Sequence, residues 1–453
     1  MRTPTSFGAG YLAVTICAVA AIVVMTGSTH LYLDDTFIHL RIARNLAEKG
    51  FYSFNGDTPT YSTSSPLYTL LLAVLWPIWP STVLPKAVGV IGYFGLWGIT
   101  AAMARASGDS LVRRLGILWL IPLSSPLAIR WLTDGMETSC AALVSAALGM
   151  TIVGATRVNR GDRPWSLIAL FILAALAVAL RIELAFLCAL CCFALGAERL
   201  VDRSAQNHGA WKVSLVLVMG AALSLALVRV HFGSLLPDTA IAKAGGGSAI
   251  DVLLNSAKAH VAASMFGIGM AAVWLSSLIA ALQRGLRRPL VIAMNSGLLL
   301  FIAAAAIRHQ EVQGYRYFVP LECFLIGFNI RILQLPPRFP AIRQHLRSVP
   351  QRTERILGVA LAVLAVCWWL FDWHRFQIVN AGRAATYETF KRLNLSDLSE
   401  KPGLAWDVGM IGYFSGGRIL DANGLVNGRE SAKQPYAKRL QEQGWDIYYR
   451  ASW

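Results

Sequence analysis

Two adjacent carboxylates, Asp34 and Asp35, begin a polar stretch directly after a long apolar segment of the chain. An ionisable side chain beside a bilayer is costly, so a pair of them predicts a functional site. A carboxylate there could accept a proton from an incoming hydroxyl group. Helix capping is the alternative interpretation, but one helix start needs only one cap and adjacent acids repel each other.

Basic side chains recur in later polar segments of the chain. Arg181 lies with Glu183 inside an otherwise apolar stretch, Lys243 ends the motif FGSLLPDTAIAK, and Arg316 lies in GYRYFVP. With Arg308, these cations are candidates for binding a lipid phosphate, because the guanidinium fork matches phosphate oxygens. Two alternatives stay open: a structural salt bridge between Arg181 and Glu183, and an Arg316 side chain that extends to the membrane surface.

Four more residues are candidate supporting or acceptor-side groups: Glu137, Glu183, Arg41 and Tyr315. Glu137 lies in TDGMETS at the start of an apolar stretch, where an ordinary helix-start carboxylate is the alternative. A divalent cation could be held by Asp34, Asp35 and Glu137, but no ligand spacing predicts one. The sequence therefore leaves the metal requirement unknown and predicts no particular cofactor.

The composition indicates that these residues belong to a membrane protein. The chain has 453 residues, of which 55% are hydrophobic and 15% charged, more apolar surface than a soluble domain can bury. The apolar runs are long and do not alternate, which predicts an all-α polytopic protein with about 11 spans rather than a β-barrel. We place the spans at about 9–29, 83–104, 115–131, 138–156, 165–180, 184–198, 213–230, 263–283, 289–307, 317–335 and 355–371.

The charge distribution predicts the orientation in the membrane. The net charge of the chain is +16, and its basic residues lie mainly in short connectors between apolar runs. The positive-inside rule predicts this distribution, whereas a nucleic-acid interface would gather the basic residues on one face. The apolar stretch 67–80 is short and ends in prolines, so we interpret it as an interfacial helix. The N-terminus is then cytoplasmic. The first loop 30–82, the C-terminus and every candidate site residue then lie on the opposite side of the membrane, which in a bacterial inner membrane is the periplasmic side.

Two domains are expected, a transmembrane catalytic domain over 1–371 and a small periplasmic α/β domain over 372–453. The first loop is predicted to carry an amphipathic juxtamembrane helix over Thr36–Lys49, ended by Gly50. The C-terminal domain contains β-like runs at Gly403 to Val408 and at Arg418 to Asp421. The seven cysteines lie mostly in apolar runs and are interpreted as small buried side chains.

An ordered set of motifs carries a family resemblance. It comprises DDTFIHLRIARNLAEKG and TSSPLYTLLLA within 34–73, DGMET at 134–138, LRIE at 180–183, FGSLLPDTAIAK at 232–243, GYRYFVP at 314–320 and DVGMIGYFSGGRILDANGLVN at 407–427. In this order they resemble the GT-C superfamily of integral-membrane glycosyltransferases, and within it the bacterial terminal β-arabinofuranosyltransferase-like group. No single motif is specific, but their order extends over most of the chain.

The resemblance implies a GT-C-like fold and an inverting glycosyltransferase. Its donor would be a polyprenyl-phosphate-linked sugar, with arabinofuranose favoured, and its acceptor a cell-envelope glycan or a protein such as pilin. Asp34 aligns with the family's general base, and Asp35 would orient the acceptor or a metal. Two other function classes stay open: a transporter or flippase of an anionic lipid-linked or soluble substrate, and a binding or assembly protein. Nucleic acid is not an expected partner.

Overall fold

The computed structural model describes residues 33–56, 59–106, 110–156, 164–201, 209–242, 264–283, 289–297, 315–334, 351–392, 403–405, 408–421, 424–428, 433 and 448–449. The helices are α1 (Asp34–Lys49), α2 (Pro66–Leu75), α3 (Leu84–Ala106), α4 (Ser110–Leu123), α5 (Pro126–Thr133), α6 (Thr138–Ala155), α7 (Pro164–Leu180), α8 (Leu184–Val201), α9 (Ala210–Phe232), α10 (Asp238–Ala242), α11 (Ser264–Gln283), α12 (289–297), α13 (Tyr315–Leu333), α14 (Gln351–Arg392) and α15 (Val408–Ser415). The strands are β1 (Gly403–Ala405), β2 (Ile419–Asp421) and β3 (Tyr448–Tyr449).

Several helices in the described ranges are long and apolar enough to cross a bilayer. They are Leu84–Met103, Thr138–Ala155, Ala210–Phe232 and Phe266–Gln283, and the bent pair α4 and α5 would add a fifth span if counted as one. The chain is therefore a multi-pass membrane protein. The predicted number of about 11 spans is not confirmed by these helices. The predicted span 9–29 lies outside the described residues.

The predicted span 115–131 is bent rather than straight. Its two parts, Val112–Leu123 and Pro126–Thr133, meet at 74°. Pro122 lies inside the last turn of α4, and a proline lacks the N–H that the helix ladder needs. The Ser125 hydroxyl then accepts a hydrogen bond from the Ala128 N–H and caps a new helix that begins with Pro126.

The packing of α6 against α13 brings the first residues of these helices to the same end of the bundle. The two helices cross where Gly149 lies against the main chain of Phe324 and Gly327 lies against the main chain of Ala146. A side chain larger than hydrogen at either glycine would overlap the opposite backbone, so this close crossing depends on small residues.

Two helices can be compared with the predicted bounds of the interfacial helix and of the second domain. The stretch expected to form an interfacial helix at 67–80 forms the short helix α2, which begins at Pro66 and ends at Leu75. The helix α14 runs without a break from Gln351 to Arg392 and passes through residue 372, where the second domain was expected to begin. The division into two domains stays a prediction.

The described C-terminal residues form a small α/β unit, as the β-like runs predict. Three short strands make a parallel sheet in the order β2-β1-β3, with Gly403 opposite Ile419 and Leu404 opposite both Leu420 and Tyr448. The helix α15 connects β1 to β2 and packs against α1, the helix that begins with the two aspartates. The chain thus brings its C-terminal part back to the first loop.

Candidate functional site

The helix α1 presents the two aspartates to different surroundings. The predicted helix and its end are confirmed: α1 ends at Lys49, and Gly50 follows with a φ of 76°, which favours glycine. Both aspartates lie in the first turn, and the N-cap residue Leu33 provides no side-chain cap. Because successive helical residues are rotated by about 100°, neighbours in sequence face different directions.

Asp35 lies beside Arg316, at the start of α13. The Asp35 Oδ2 atom is 2.5 Å from the Arg316 Nη2 atom. The Arg316 side chain is 5% exposed and that of Asp35 is 28% exposed, so the pair lies at the edge of a buried region. The Arg316 Nη1 atom is buried and has no hydrogen-bond partner among the described residues. A buried donor in that condition is costly, which makes this guanidinium suited to a further anion.

A second arginine lies next to this pair. Arg181 follows α7, is almost fully buried, and its Nη2 atom is 2.7 Å from the Glu183 Oε1 atom. Its Nη1 atom is 3.5 Å from Glu137 Oε1 and donates to the Arg316 main-chain oxygen over 3.4 Å. Burial lowers the pKa of Arg181, but the carboxylates of Glu183 and Glu137 more than offset this and raise it above its ordinary value.

One aromatic ring brings the two arginines together. The Cζ atom of Arg181 lies 4.3 Å from the centroid of the Tyr317 ring, and that of Arg316 lies 5.2 Å from the same centroid. Cation–π attraction offsets part of the repulsion between the two guanidinium groups. The predicted salt bridge between Arg181 and Glu183 is present, and it belongs to this larger cluster.

Glu137 reaches the cluster from the start of α6. The tight turn before it contains Gly135 with a φ of 93°, and Asp134 Oδ1 accepts a hydrogen bond from the Met136 N–H. The Thr36 hydroxyl of α1 donates to the Asp134 main-chain oxygen. The Glu137 Oε2 atom is buried without a hydrogen-bond partner in the described part of the chain.

His39 is a member of the cluster that the sequence analysis missed. Its Nε2 atom is 3.7 Å from Glu137 Oε2, and its Nδ1 atom is 2.7 Å from the Thr69 hydroxyl. Burial lowers the pKa of His39, and the nearby carboxylates of Glu137 and Asp35 oppose that shift. The signal was its spacing: His39 follows Asp35 by one helical turn, so both side chains lie on one face of α1.

Asp34 has different partners from Asp35. Its Oδ2 atom accepts the N–H of Gly409 and its Oδ1 atom accepts the N–H of Met410, each over 2.7 Å. These amides belong to the first turn of α15, where helix N–H groups lack partners within the helix. Asp34 is therefore a helix cap. The alternative interpretation expected it to cap the helix that it begins, but it caps a helix whose residue Gly409 lies 375 positions further along the chain.

Arg41 faces the same C-terminal segment. Its Nε atom donates to the Phe54 oxygen over 2.5 Å, its Nη2 atom to the Gly417 oxygen over 2.5 Å, and its Nη1 atom to the Gly412 oxygen. Burial, with Arg44 nearby, lowers the pKa of Arg41 to about 9, so the side chain stays charged at neutral pH. Its contacts to main-chain oxygens fit a structural tether.

The remaining predicted residues are placed as follows. The Tyr315 hydroxyl donates to the buried Glu322 Oε2 atom over 2.8 Å, within α13. Lys243 and Arg308 lie outside the described residues. No group of three or more His, Cys, Asp or Glu side chains suited to a metal ion occurs in the described ranges, so Asp34, Asp35 and Glu137 do not form one.

Comparison with known proteins identifies the fold. The crystal structure of ArnT from Cupriavidus metallidurans bound to undecaprenyl phosphate is 14% identical, with a TM-score of 0.55 over 90% of this chain and 85% of ArnT. Its apo structure is 13% identical, with a TM-score of 0.59 over 92% of this chain and 87% of ArnT. No family model and no curated protein sequence matches the chain. The chain thus has the fold of ArnT.

Proposed function

We propose that the protein is an inverting glycosyltransferase that uses a polyprenyl-phosphate-linked sugar as its donor. The observation that carries the proposal is the contact of Asp35 with Arg316, beside a second buried guanidinium from Arg181. This places a carboxylate next to a pair of cations at the edge of a membrane bundle. The crystallisation of ArnT, a protein of the same fold, with undecaprenyl phosphate supports a donor of this chemical class.

The two arginines would bind the phosphate that leaves with the lipid. Both lie over the Tyr317 ring, and the Arg316 Nη1 atom lacks a hydrogen-bond partner among the described residues. Preorganised cations that meet developing negative charge are often the largest single catalytic contribution, about 3–4 kcal/mol for one donor group. Lys243 and Arg308 stay proposals for the same role.

Asp35 is the proposed general base. The alignment of motifs points to Asp34, but both carboxylate oxygens of Asp34 already accept main-chain N–H groups. Asp35 is part-exposed, which a group that meets an acceptor hydroxyl requires. In the reaction, the acceptor oxygen forms a bond to the anomeric carbon and its proton moves to Asp35. The bond from that carbon to the phosphate oxygen breaks, and the lipid phosphate leaves with the electron pair.

The proton must move late in this reaction. An aspartate has an ordinary pKa of about 3.9, far below that of a sugar hydroxyl, so it cannot deprotonate the acceptor in advance. Proton transfer concerted with attack contributes about 10²- to 10⁴-fold in rate. The anomeric carbon becomes oxocarbenium-like, and a nearby carboxylate stabilises that positive charge.

The ion pair between Asp35 and Arg316 suggests the order in which the donor and the acceptor bind. In the free protein the Asp35 carboxylate contacts the Nη2 atom of Arg316 and neutralises part of the charge that a donor phosphate would bind. A bound phosphate competes with Asp35 for the guanidinium and thereby releases the carboxylate for the acceptor. We therefore expect the donor to bind before the acceptor.

The finer assignments rest on the sequence resemblance. They are arabinofuranose as the sugar, an envelope glycan or pilin as the acceptor, and a bacterial inner membrane with a cytoplasmic N-terminus and a periplasmic site. A panel of donors that differ in the sugar, but share the polyprenyl phosphate, tests the first of these directly.

The deciding experiment measures transfer of a radiolabelled sugar by the purified protein in lipid nanodiscs. We expect labelled product with the wild type and a loss of about 10²- to 10⁴-fold with Asp35→Asn. Proteoliposomes loaded with the same lipid-linked sugars test the rival function. Translocation of the lipid without sugar transfer from any donor would overturn the proposal in favour of a flippase.

A further inference from the structure

We propose that Asp34 and Arg41 are positioning residues. They fasten α1 to the C-terminal segment 408–417, and this contact sets the place of Asp35 opposite Arg316. The inference rests on the proposed function and extends it, because it makes the C-terminal segment part of the catalytic unit. The name clamp is used below for the contact between α1 and residues 408–417.

The first part of the clamp is the cap that Asp34 provides. A carboxylate that accepts two backbone N–H groups makes charge-assisted hydrogen bonds, which are shorter and stronger than neutral ones. The approach is close enough to require glycine: a Cβ atom at Gly409 would overlap the main-chain oxygen of Asp34. The glycine in the sequence VGMIG therefore allows α15 to approach Asp34 this closely.

The second part is the bridge that Arg41 makes. One guanidinium joins the first loop at Phe54 to the C-terminal segment at Gly412 and Gly417. Its Cζ atom also lies 4.4 Å from the centroid of the Phe54 ring. A Cβ atom at Gly412 would overlap this ring. Removal of the guanidinium would take a donor from three buried main-chain oxygens, of which the Phe54 oxygen keeps the Asn45 amide as a partner.

Aromatic packing fills the space between these polar contacts. Phe37 lies between Asp34 and Arg41 on the same face of α1, and its ring centroid is 5.4 Å from that of Tyr413 and 5.5 Å from that of Phe414. The side chain of Asn55 adds a pair of hydrogen bonds to the main chain of Ile419, each 3.1 Å long. One face of α1 is thus committed to the C-terminal segment.

The other face of the same helix carries Asp35 and His39. A helix that rotates about its axis moves all of its side chains together. The contacts of Asp34 and Arg41 with the C-terminal segment therefore restrict the movement of Asp35. Misplacement of a catalytic group by 1 Å can lower the rate by about 10²-fold. Arg181 lies directly after α7 and Arg316 lies in α13, so neither residue belongs to the segments that the clamp joins. The clamp therefore does not position the two guanidinium groups of the proposed phosphate site.

The experiment weakens the clamp from each side and measures two properties of the full-length protein in nanodiscs. The variants are Asp34→Asn, Arg41→Lys and Gly409→Ala. Gly98→Ala controls the last change, because a Cβ at Gly98 meets no atom within 4 Å. Glu388→Gln controls the loss of a carboxylate, because Glu388 pairs with the exposed Arg392 one turn further along its own helix. We expect kcat to fall by about ten-fold or more while the donor KM falls or rises by less than about two-fold, because displacement of Asp35 removes a competitor for Arg316 and leaves both guanidinium groups in place.

Hydrogen exchange of residues 34–49 and 408–415 gives a readout that needs no activity. We expect faster exchange in both segments in each clamp variant and no change in either control. If the wild type transfers no sugar, the proposed function fails, yet the exchange data still decide whether the clamp orders α1. Faster exchange with an unchanged kcat would overturn the positioning role.

A double variant separates positioning from direct chemistry. If Asp34 acts through Asp35, Asp34→Asn should have little further effect on the residual rate in an Asp35→Asn background. Fully additive losses, or a loss of turnover in Asp34→Asn with wild-type exchange, would show that Asp34 acts on the substrate itself and would overturn the inference. Should Asp34→Asn fail to fold, Gly409→Ala carries the same test from the opposite side.

Discussion

Asp34 and Asp35 are neighbours in the chain but bind different parts of the protein. Asp34 accepts two N–H groups of the C-terminal helix α15, whereas Asp35 pairs with Arg316 at the start of α13. A rotation of about 100° between successive helical residues directs Asp34 towards α15 and Asp35, the candidate base, towards Arg316. Asp34 thus caps a helix other than its own, and Asp35 is the residue for which we propose a catalytic role.

Asp35→Asn should abolish sugar transfer without weakening donor binding. The amide cannot accept the acceptor proton, and it no longer competes as an anion for Arg316. We expect the initial rate to fall by about 10²- to 10⁴-fold, while donor affinity is equal or higher in an equilibrium titration. Near-normal turnover in this variant would remove Asp35 from the role of base.

Arg316→Ala should weaken donor binding more than acceptor binding. A charged hydrogen bond to phosphate is worth about 1.5–3 kcal/mol, which corresponds to a rise in the donor KM of roughly 10- to 150-fold. Arg316→Lys keeps the charge but loses the fork, so we expect an intermediate value. Arg331→Ala is the matched control, because Arg331 is an exposed residue of the same helix that pairs with Gln334. Equal donor affinity in Arg316→Ala and the control would contradict the assignment.

Tyr317→Leu should reduce donor affinity through both arginines at once. The ring lies under the guanidinium groups of Arg181 and Arg316, and each cation–π contact is worth about 0.5–2 kcal/mol. Tyr317→Phe keeps the ring and loses only the hydroxyl, so it should bind donor nearly as well as the wild type. A titration that finds Phe as damaging as Leu would point to the hydroxyl rather than the ring.

His39 should make the fold sensitive to mild acid. Burial lowers the pKa of His39 in the folded protein, whereas the unfolded chain has an ordinary value of about 6.5. The unfolded state therefore binds a proton first as the pH falls below about 6.5, and the folded state loses stability until the pH passes its own lower pKa.

The check is the unfolding temperature of the wild type and of His39→Asn at about pH 7.5 and about pH 5.5. We expect a smaller drop between the two pH values in the variant, which cannot take up that proton. An equal drop in both proteins would assign the acid sensitivity to other groups.

Local patterns in the sequence determined a substantial part of this protein. The apolar runs indicated a multi-pass membrane protein, the periodicity from Thr36 to Lys49 with Gly50 predicted α1, and the β-like runs predicted β1 and β2 but not β3. Each of these depends on residues close together in the chain, so the signal is complete within one segment.

Contacts between distant segments were decided by the tertiary structure alone. The bond from Asp34 to Gly409, the place of His39 beside Glu137 and the common ring of Arg181 and Arg316 depend on how whole helices cross. The periodicity of a sequence predicts which residues share a face of a helix, but not which other element packs against that face. The proposal that Asp35 rather than Asp34 is the base depends on these contacts, because the return of the C-terminal chain to α1 leaves no local pattern in the residues around either aspartate.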